Sequence, residues 1–176
     1  PVEAGNDVQI CIGDTAQLNV TGSAISFIWT PILNVFGDST LSNDTIADPL
    51  AYPIDTTTYF ATVTDINGCI VMDSVTVIVN PLPNASAGNN QAICIGDSVQ
   101  LNASGGDIYL WSPNDSITNI NIANPFVYPS TDTLYTVIVT DSNGCINNDS
   151  LNVTVNQLPV VNASAPIDTI CLGNST

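Results

Sequence analysis

Lysine, arginine and histidine are absent from all 176 residues, so the 16 carboxylates stand unopposed at a formal charge of -16. Contact with a phosphate backbone or an anionic lipid surface runs on Lys and Arg, which excludes nucleic acid and membrane surfaces as partners. Without His or Lys, catalysis near neutral pH loses its usual bases and Schiff-base amines, and metal sites lose imidazole. The expectation is a protein that is not an enzyme. A chain without Lys or Arg also offers trypsin-like proteases no cleavage site. Glutamate is nearly absent too: Glu3 stands against fifteen Asp, which compete with the backbone for hydrogen bonds and disfavour helix. No apolar run of about 18 residues exists to span a membrane, and no basic stretch opens the chain as in a signal peptide.

What is present is a chain with 44% hydrophobic residues, enough to offset chain entropy with a core. Thr, Ser, Val, Ile and Asn dominate, as suits short strands between polar turns. Self-similarity sets the architecture. Ile10-Cys11-Ile12-Gly13-Asp14 recurs as Ile93-Cys94-Ile95-Gly96-Asp97, and Trp29-Thr30-Pro31 as Trp111-Ser112-Pro113. Tyr52-Pro53 recurs as Tyr128-Pro129, and Asp65-Ile66-Asn67-Gly68-Cys69 as Asp141-Ser142-Asn143-Gly144-Cys145. Asn80-Pro81-Leu82-Pro83 returns as Asn156-Gln157-Leu158-Pro159, after which Ile170-Cys171-Leu172-Gly173 opens a third copy. The repeat divides the chain into domains at 1–80 and 81–157, with 158–176 as linker and start of a third. Pro1 fits the last residue of a preceding Leu-Pro linker, so a segment of a longer array is expected.

Within each copy, Ala16–Val20, Val75–Val79, Val99–Ala103 and Tyr135–Thr140 alternate with period two, as strands with one buried face do. Gly-Asp, Asn-Gly and Pro turns separate them, which predicts an all-β fold of tandem antiparallel sandwiches with about seven strands each. Trp29 and Trp111 lie in such strands and are expected in the cores rather than on a sugar-stacking surface. The Asp-x-Asn-Gly segments have oxygen ligands at alternate positions but lack the remaining acids of a calcium loop, so a hairpin turn is expected there. The metal ligands are therefore unknown, with no cofactor expected and calcium at domain junctions as the one candidate. Asp44 and Asp48 lack the apolar setting of a glycosidase pair.

The order Cys11, Trp29, Tyr59, Cys69, repeated as Cys94, Trp111, Tyr135, Cys145, resembles that of immunoglobulin-like sandwiches. The fuller phrases, Cys94-Ile-Gly-Asp-Ser-Val-Gln-Leu, Trp111-Ser-Pro and Tyr135-Thr-Val-Ile-Val-Thr-Asp-Ser-Asn-Gly-Cys145, are similar to the PKD-like and immunoglobulin-like repeats of giant surface adhesins of Bacteroidota exported by type IX secretion. That resemblance covers nearly the whole chain. It implies an elongated array of sandwich domains, secreted to the cell surface. The function it implies is a structural stalk or fibre segment of an adhesin or appendage filament. The alternative is a recognition module that binds polysaccharide or a host or prey cell. Partners would be neighbouring repeats and, laterally, identical chains.

Two cysteine pairings are open. Bridges inside each repeat, Cys11 with Cys69 and Cys94 with Cys145, close each domain independently and leave Cys171 unpaired in this segment. Bridges between neighbours would join Cys69 to Cys94 and Cys145 to Cys171. Immunoglobulin strand order places the two cysteines of one repeat toward opposite ends, which weighs against the first scheme. It is still the one expected here, since it closes each small domain independently and the entry strand can begin near the other end.

Eleven of the fifteen Asp precede Ser or Thr, far above the 34 of 176 positions those residues occupy. Ten continue with Thr or an apolar residue, a pattern similar to the O-glycosylation signal of Bacteroidota. It falls at Thr15, Ser39, Thr45, Thr56, Ser74, Ser98, Ser116, Thr133, Ser150 and Thr169, which are expected to carry sugars. The plainer reading is that Asp followed by Ser or Thr starts strands after turns. Asn84 and Asn162 begin Asn-x-Ser triplets that would stay unmodified in a bacterial protein.

Overall fold

The computed structural model describes residues 2–22, 24–31 and 40–163. It contains twelve strands and no helix among them. In the first repeat these are β1 (Val8–Cys11), β2 (Ala16–Gln17), β3 (Ser26–Pro31), β4 (Leu50–Ala51), β5 (Thr57–Thr64) and β6 (Ile70–Asn80). In the second they are β7 (Gln91–Cys94), β8 (Val99–Gln100), β9 (Ile108–Ser112), β10 (Phe126–Val127), β11 (Thr133–Thr140) and β12 (Ile146–Asn156).

Each repeat is a sandwich of one large and one small sheet. The large sheets run β1-β6-β5-β3 and β7-β12-β11-β9, and the small ones pair β2 with β4 and β8 with β10. Two immunoglobulin-like sandwiches in tandem are therefore present, with six strands in each where about seven were expected. The missing edge pairing contracts to isolated bridges, Glu3 to Thr21 and Leu41 to Ala51, and correspondingly Ser86 to Ser104 and Ile117 to Val127.

The alternating strands bury one face each, as their period requires. In β5 the inward set is Thr57, Tyr59, Ala61 and Val63; in β11 it is Tyr135, Val137 and Val139. These close on two separate cores, one around Trp29, Tyr59, Leu18 and Val77, the other around Trp111, Tyr135, Leu101 and Val153. Both tryptophans are 1% exposed, so they are core residues as expected. Each still finds a polar partner for its indole N–H: Trp29 donates to the Ile46 carbonyl at 2.9 Å and Trp111 to the Ile122 carbonyl at 3.0 Å. An indole without such a partner would lose a hydrogen bond to water on burial.

One pairing departs from the antiparallel expectation and sets the chemistry of the chain. β1 lies parallel to β6, with Val8 opposite Val77 and Cys11 opposite Asn80. β7 lies parallel to β12 in the same way, with Cys94 opposite Asn156. Period-two alternation is identical for parallel and antiparallel strands, so sequence pattern does not distinguish them. The consequence is that Cys11 and Cys94 sit where their domains end.

Candidate functional site: the junction between the sandwiches

The two cysteines of a repeat occupy opposite ends of its longest strand. Cys69 closes the turn just before β6, whereas Cys11 pairs with Asn80 at the last residue of that eleven-residue strand. At about 3.3 Å per residue the separation is roughly 35 Å, and a disulfide needs Cα atoms within about 7 Å. The same holds for Cys145 and Cys94 along β12. The pairing expected within each repeat, Cys11 with Cys69 and Cys94 with Cys145, is therefore corrected.

The bond that forms joins Cys11 to Cys145 across 134 residues, with Cα atoms 5.5 Å apart. It links the end of β1 in the first sandwich to the turn between β11 and β12 in the second. Cys69 and Cys94 are unpaired and exposed, so the alternative bridge between those two is not made either. Cys145, by contrast, is fully buried. Cys171, the third copy it opens, Ser39 and Thr169 lie outside the described residues.

Local sequence positions both sulfurs. On the Cys11 side, Gly13 adopts φ +94° in the turn after β1, the Asp14 N–H donates to the Cys11 carbonyl at 3.0 Å, and the Ile12 N–H donates to the Asn80 carbonyl at 2.9 Å. On the Cys145 side, Asp141 Oδ1 accepts from the N–H groups of Asn143 and Cys145, both at 2.9 Å. The Asp141 N–H closes the turn on the Cys145 carbonyl at 3.0 Å. Gly144 supplies the positive φ, +82°, that this turn requires and that a side chain disfavours. The turn expected for Asp-x-Asn-Gly is thus present in both repeats, with the Asp oxygen committed to backbone N–H groups.

Around the bridge, Cys11, Ile12, Asp14, Leu82, Gly144 and Ile146 line a shared concavity of about 180 Å³. Leu82 comes from the linker, so chain and disulfide meet in one place. The Pro83 carbonyl of that linker accepts from the Asn147 side-chain amide at 3.0 Å, which ties it to β12. Pro81 and Pro83 restrict the backbone between the two sandwiches to extended conformations.

Carboxylates do a second job that sequence reasoning missed. Asp73 accepts the Ala4 N–H at 2.7 Å, and its counterpart Asp149 accepts the Ala87 N–H at 2.8 Å. Each fastens the segment that leads into a domain onto that domain's last strand. These bonds, that of Ala4 or Ala87 first and then that of the following Ser, hold both carboxyl groups below their ordinary range. Asp65 is lowered likewise, chiefly by the Cys69 N–H. A carboxyl with a depressed folded-state pKa adds stability that is complete above the unfolded value and fades as pH falls through the folded one. Asp149→Asn should therefore lower the urea midpoint at pH 7. The difference from the parent chain should shrink as pH falls below about 3.9, the ordinary Asp pKa, and disappear once the folded-state carboxyl is protonated. An unchanged difference at pH 2 would refute the assignment.

Of the ten hydroxyls in the Asp-Ser/Thr pattern, Thr15, Thr45, Thr56, Ser74, Ser98 and Ser150 are exposed, and Ser116 and Thr133 are half-buried. Several serve the fold: Thr45 Oγ1 donates to Asn43 Oδ1 at 2.8 Å, Thr133 Oγ1 donates to the Thr131 carbonyl at 2.8 Å, and Thr56 Oγ1 accepts the Val79 N–H at 3.1 Å. Asp44 and Asp48 are exposed. Among the described residues no three of His, Cys, Asp and Glu are grouped to hold a metal ion, and no helix is long and apolar enough to cross a membrane.

No protein-family model matches the chain, and no curated protein does. Among solved structures it is similar to the insect immune protein hemolin, at 16% identity over 87% of this chain and 46% of that one, with a TM-score of 0.45. It thus spans less than half of the hemolin chain. It is also similar to the PKD domain from the KIAA 1837 protein, at 23% identity over 49% of this chain and 92% of that one, TM-score 0.42. A third is the I9–I11 tandem from titin, at 11% identity over 89% of this chain and 66% of that one, TM-score 0.39.

Proposed function

We propose that the chain is a non-enzymatic stalk segment of a secreted, surface-attached adhesin or appendage, in which successive sandwiches are fixed to one another covalently. The bridge from Cys11 to Cys145 carries this reading. A disulfide inside a domain would serve that domain's stability alone. One between domains removes the hinge that a linker otherwise provides, and so serves the geometry of the array. Disulfides persist in oxidising compartments, which supports an extracellular location. The absence of Lys and Arg suits a fibre exposed to proteases, and O-linked sugars on the six exposed hydroxyls would shield it further. Export by a Bacteroidota type IX system belongs to the same proposal and rests on the motif resemblance.

Small-angle scattering of the oxidised chain and of Cys145→Ser, each at low and high ionic strength, tests the reading. Sixteen carboxylates repel one another within a Debye length of about 10 Å at 0.1 M salt. The oxidised chain should keep one maximum dimension across salt, whereas the variant should extend at low salt and fold back at high salt, and calcium should act like any screening cation. Equal salt response in both would remove the stalk function.

A recognition role is favoured by one feature. Phe126 and Tyr128 flank the buried Val127 and are both about half exposed, as are Leu50 and Tyr52 in the first repeat. Paired apolar side chains on an edge strand form a strip on which a polysaccharide could stack. Loss of binding to a glycan array on Phe126→Ala with Tyr128→Ala would identify that role.

A further inference from the structure

Among the described residues, the two thiols left unpaired are the repeat counterparts of the two that are joined. Cys94 ends β7 opposite Asn156 as Cys11 ends β1 opposite Asn80. The turns that follow share their hydrogen bonds: Ile95 N–H to the Asn156 carbonyl at 2.9 Å and Asp97 N–H to the Cys94 carbonyl at 3.0 Å, the same distances as at Ile12 and Asp14. On the other side, Asp65 Oδ1 accepts from Asn67 and Cys69, both at 2.8 Å, as Asp141 does from Asn143 and Cys145. The backbone that presents each sulfur is thus already formed at all four positions. Only the cover differs, since Cys145 is buried under its partner and Cys69 is exposed.

We infer that Cys94 and Cys69 are complementary linkage sites for repeats of this same kind. Cys94 takes the turn cysteine of a sandwich that follows, and Cys69 takes the strand cysteine of one that precedes. The observed bridge is then one rung of a ladder in which every domain is bonded to both neighbours. The apolar residues beside the observed rung have counterparts at the free sites: Leu158 repeats Leu82, and Ile70 repeats Ile146, all of them exposed enough to pack. Because the strand site meets the turn site and never itself, the contact is head-to-tail, and each added repeat carries the site for the next. This inference rests on the stalk reading and specifies the partner of its ends.

The bond needs an oxidant, and a low-molecular-weight disulfide such as glutathione disulfide supplies it. The Cys94 thiolate attacks one sulfur of that disulfide and expels one glutathione. The Cys69 thiolate of the neighbour then attacks the protein sulfur of the mixed disulfide, forming the new S–S bond and expelling the second glutathione. Two protein thiols are oxidised and one small disulfide is reduced.

Two variants in a Cys171→Ser background test the inference, with the 176-residue chain as its own partner. Cys69→Ser retains the strand thiol and Cys94→Ser retains the turn thiol. In a glutathione redox buffer each alone should remain monomeric, and an equimolar mixture should yield a covalent dimer. Its non-reducing peptide map should join Cys94 to Cys69 and keep Cys11 on Cys145. No dimer in the mixture, or as much dimer in the separate samples, would overturn the complementary pairing. Either failure with the internal bridge intact leaves the stalk reading standing, whereas a map without Cys11–Cys145 would defeat both.

Discussion

Replacing Cys145 with Ser should lower the stability of each sandwich by about 4 kcal/mol. The value follows from where the bridge is anchored. Cys11 pairs in register with Asn80, so while the first sandwich is folded, the bridge closes the unfolded second one into a loop from Asn80 to Cys145. A loop of that length, some 65 residues, costs the unfolded ensemble about 4 kcal/mol in the chain-entropy treatment, and the full 134-residue loop costs about 5 when both domains unfold. The two losses are therefore not additive, because logarithmic growth makes the longer loop only slightly more costly. Urea unfolding without reductant should show a lower midpoint for Cys145→Ser than for the parent, and dithiothreitol should bring the parent to the variant's value. Cys69→Ser, which removes an exposed unpaired thiol, should leave the midpoint in place. Equal midpoints for the parent and Cys145→Ser would mean that the domains draw no stability from the bridge.

Much of this arrangement is legible in the residues, and what is not legible has a specific cause. The repeat of Cys, Trp, Tyr and Asn-Gly fixes two sandwiches, because each of those types has a narrow structural use: a core indole, a tight turn, a strand end. Trp29 and Trp111 fall in the cores for that reason. Cysteine pairing is different, since it depends on which end of the sandwich each strand points to. β1 is four residues long, and its alternation is the same whether it runs with β6 or against it. The sequence did carry a warning, namely that the cysteines of one repeat belong at opposite ends. A staple within each domain would need those two ends to meet, which the parallel pairing of β1 with β6 forbids. The anchoring role of Asp73 and Asp149 is hidden for another reason, as their bonds span 69 and 62 residues and share their Asp-Ser motif with exposed turns. A visible hint was the recurrence of Asp at equivalent positions in the last strand of both repeats, where a strand's half-buried face usually carries no charge.

With the bridge reduced, Trp111→Ala should destabilise the second sandwich by about 3–5 kcal/mol and leave the first where it is. The indole is 1% exposed and packs among Leu101, Tyr135, Val137 and Leu151, all within a core that shares no residue with the one around Trp29. Removing it opens a cavity and takes away the indole N–H that the Ile122 carbonyl accepts. Trp111→Phe, which keeps most of the ring but not the donor, should cost less, about 1–2 kcal/mol. The chain has two tryptophans, one per core, so Trp111→Ala leaves Trp29 as a private reporter of the first sandwich. In dithiothreitol, fluorescence of the variant should then melt at the reduced parent's midpoint for that domain while far-ultraviolet circular dichroism shows an earlier transition for the other. Trp29→Ala should invert the pattern. The bridge must be reduced for this separation, because while intact it loses most of its hold on the first sandwich once the second is unfolded, the longer loop adding only about 1 kcal/mol to the cost already met. If Trp29 fluorescence in Trp111→Ala moved down together with the dichroism, the two sandwiches would be one cooperative unit, and the junction would transmit folding as well as position.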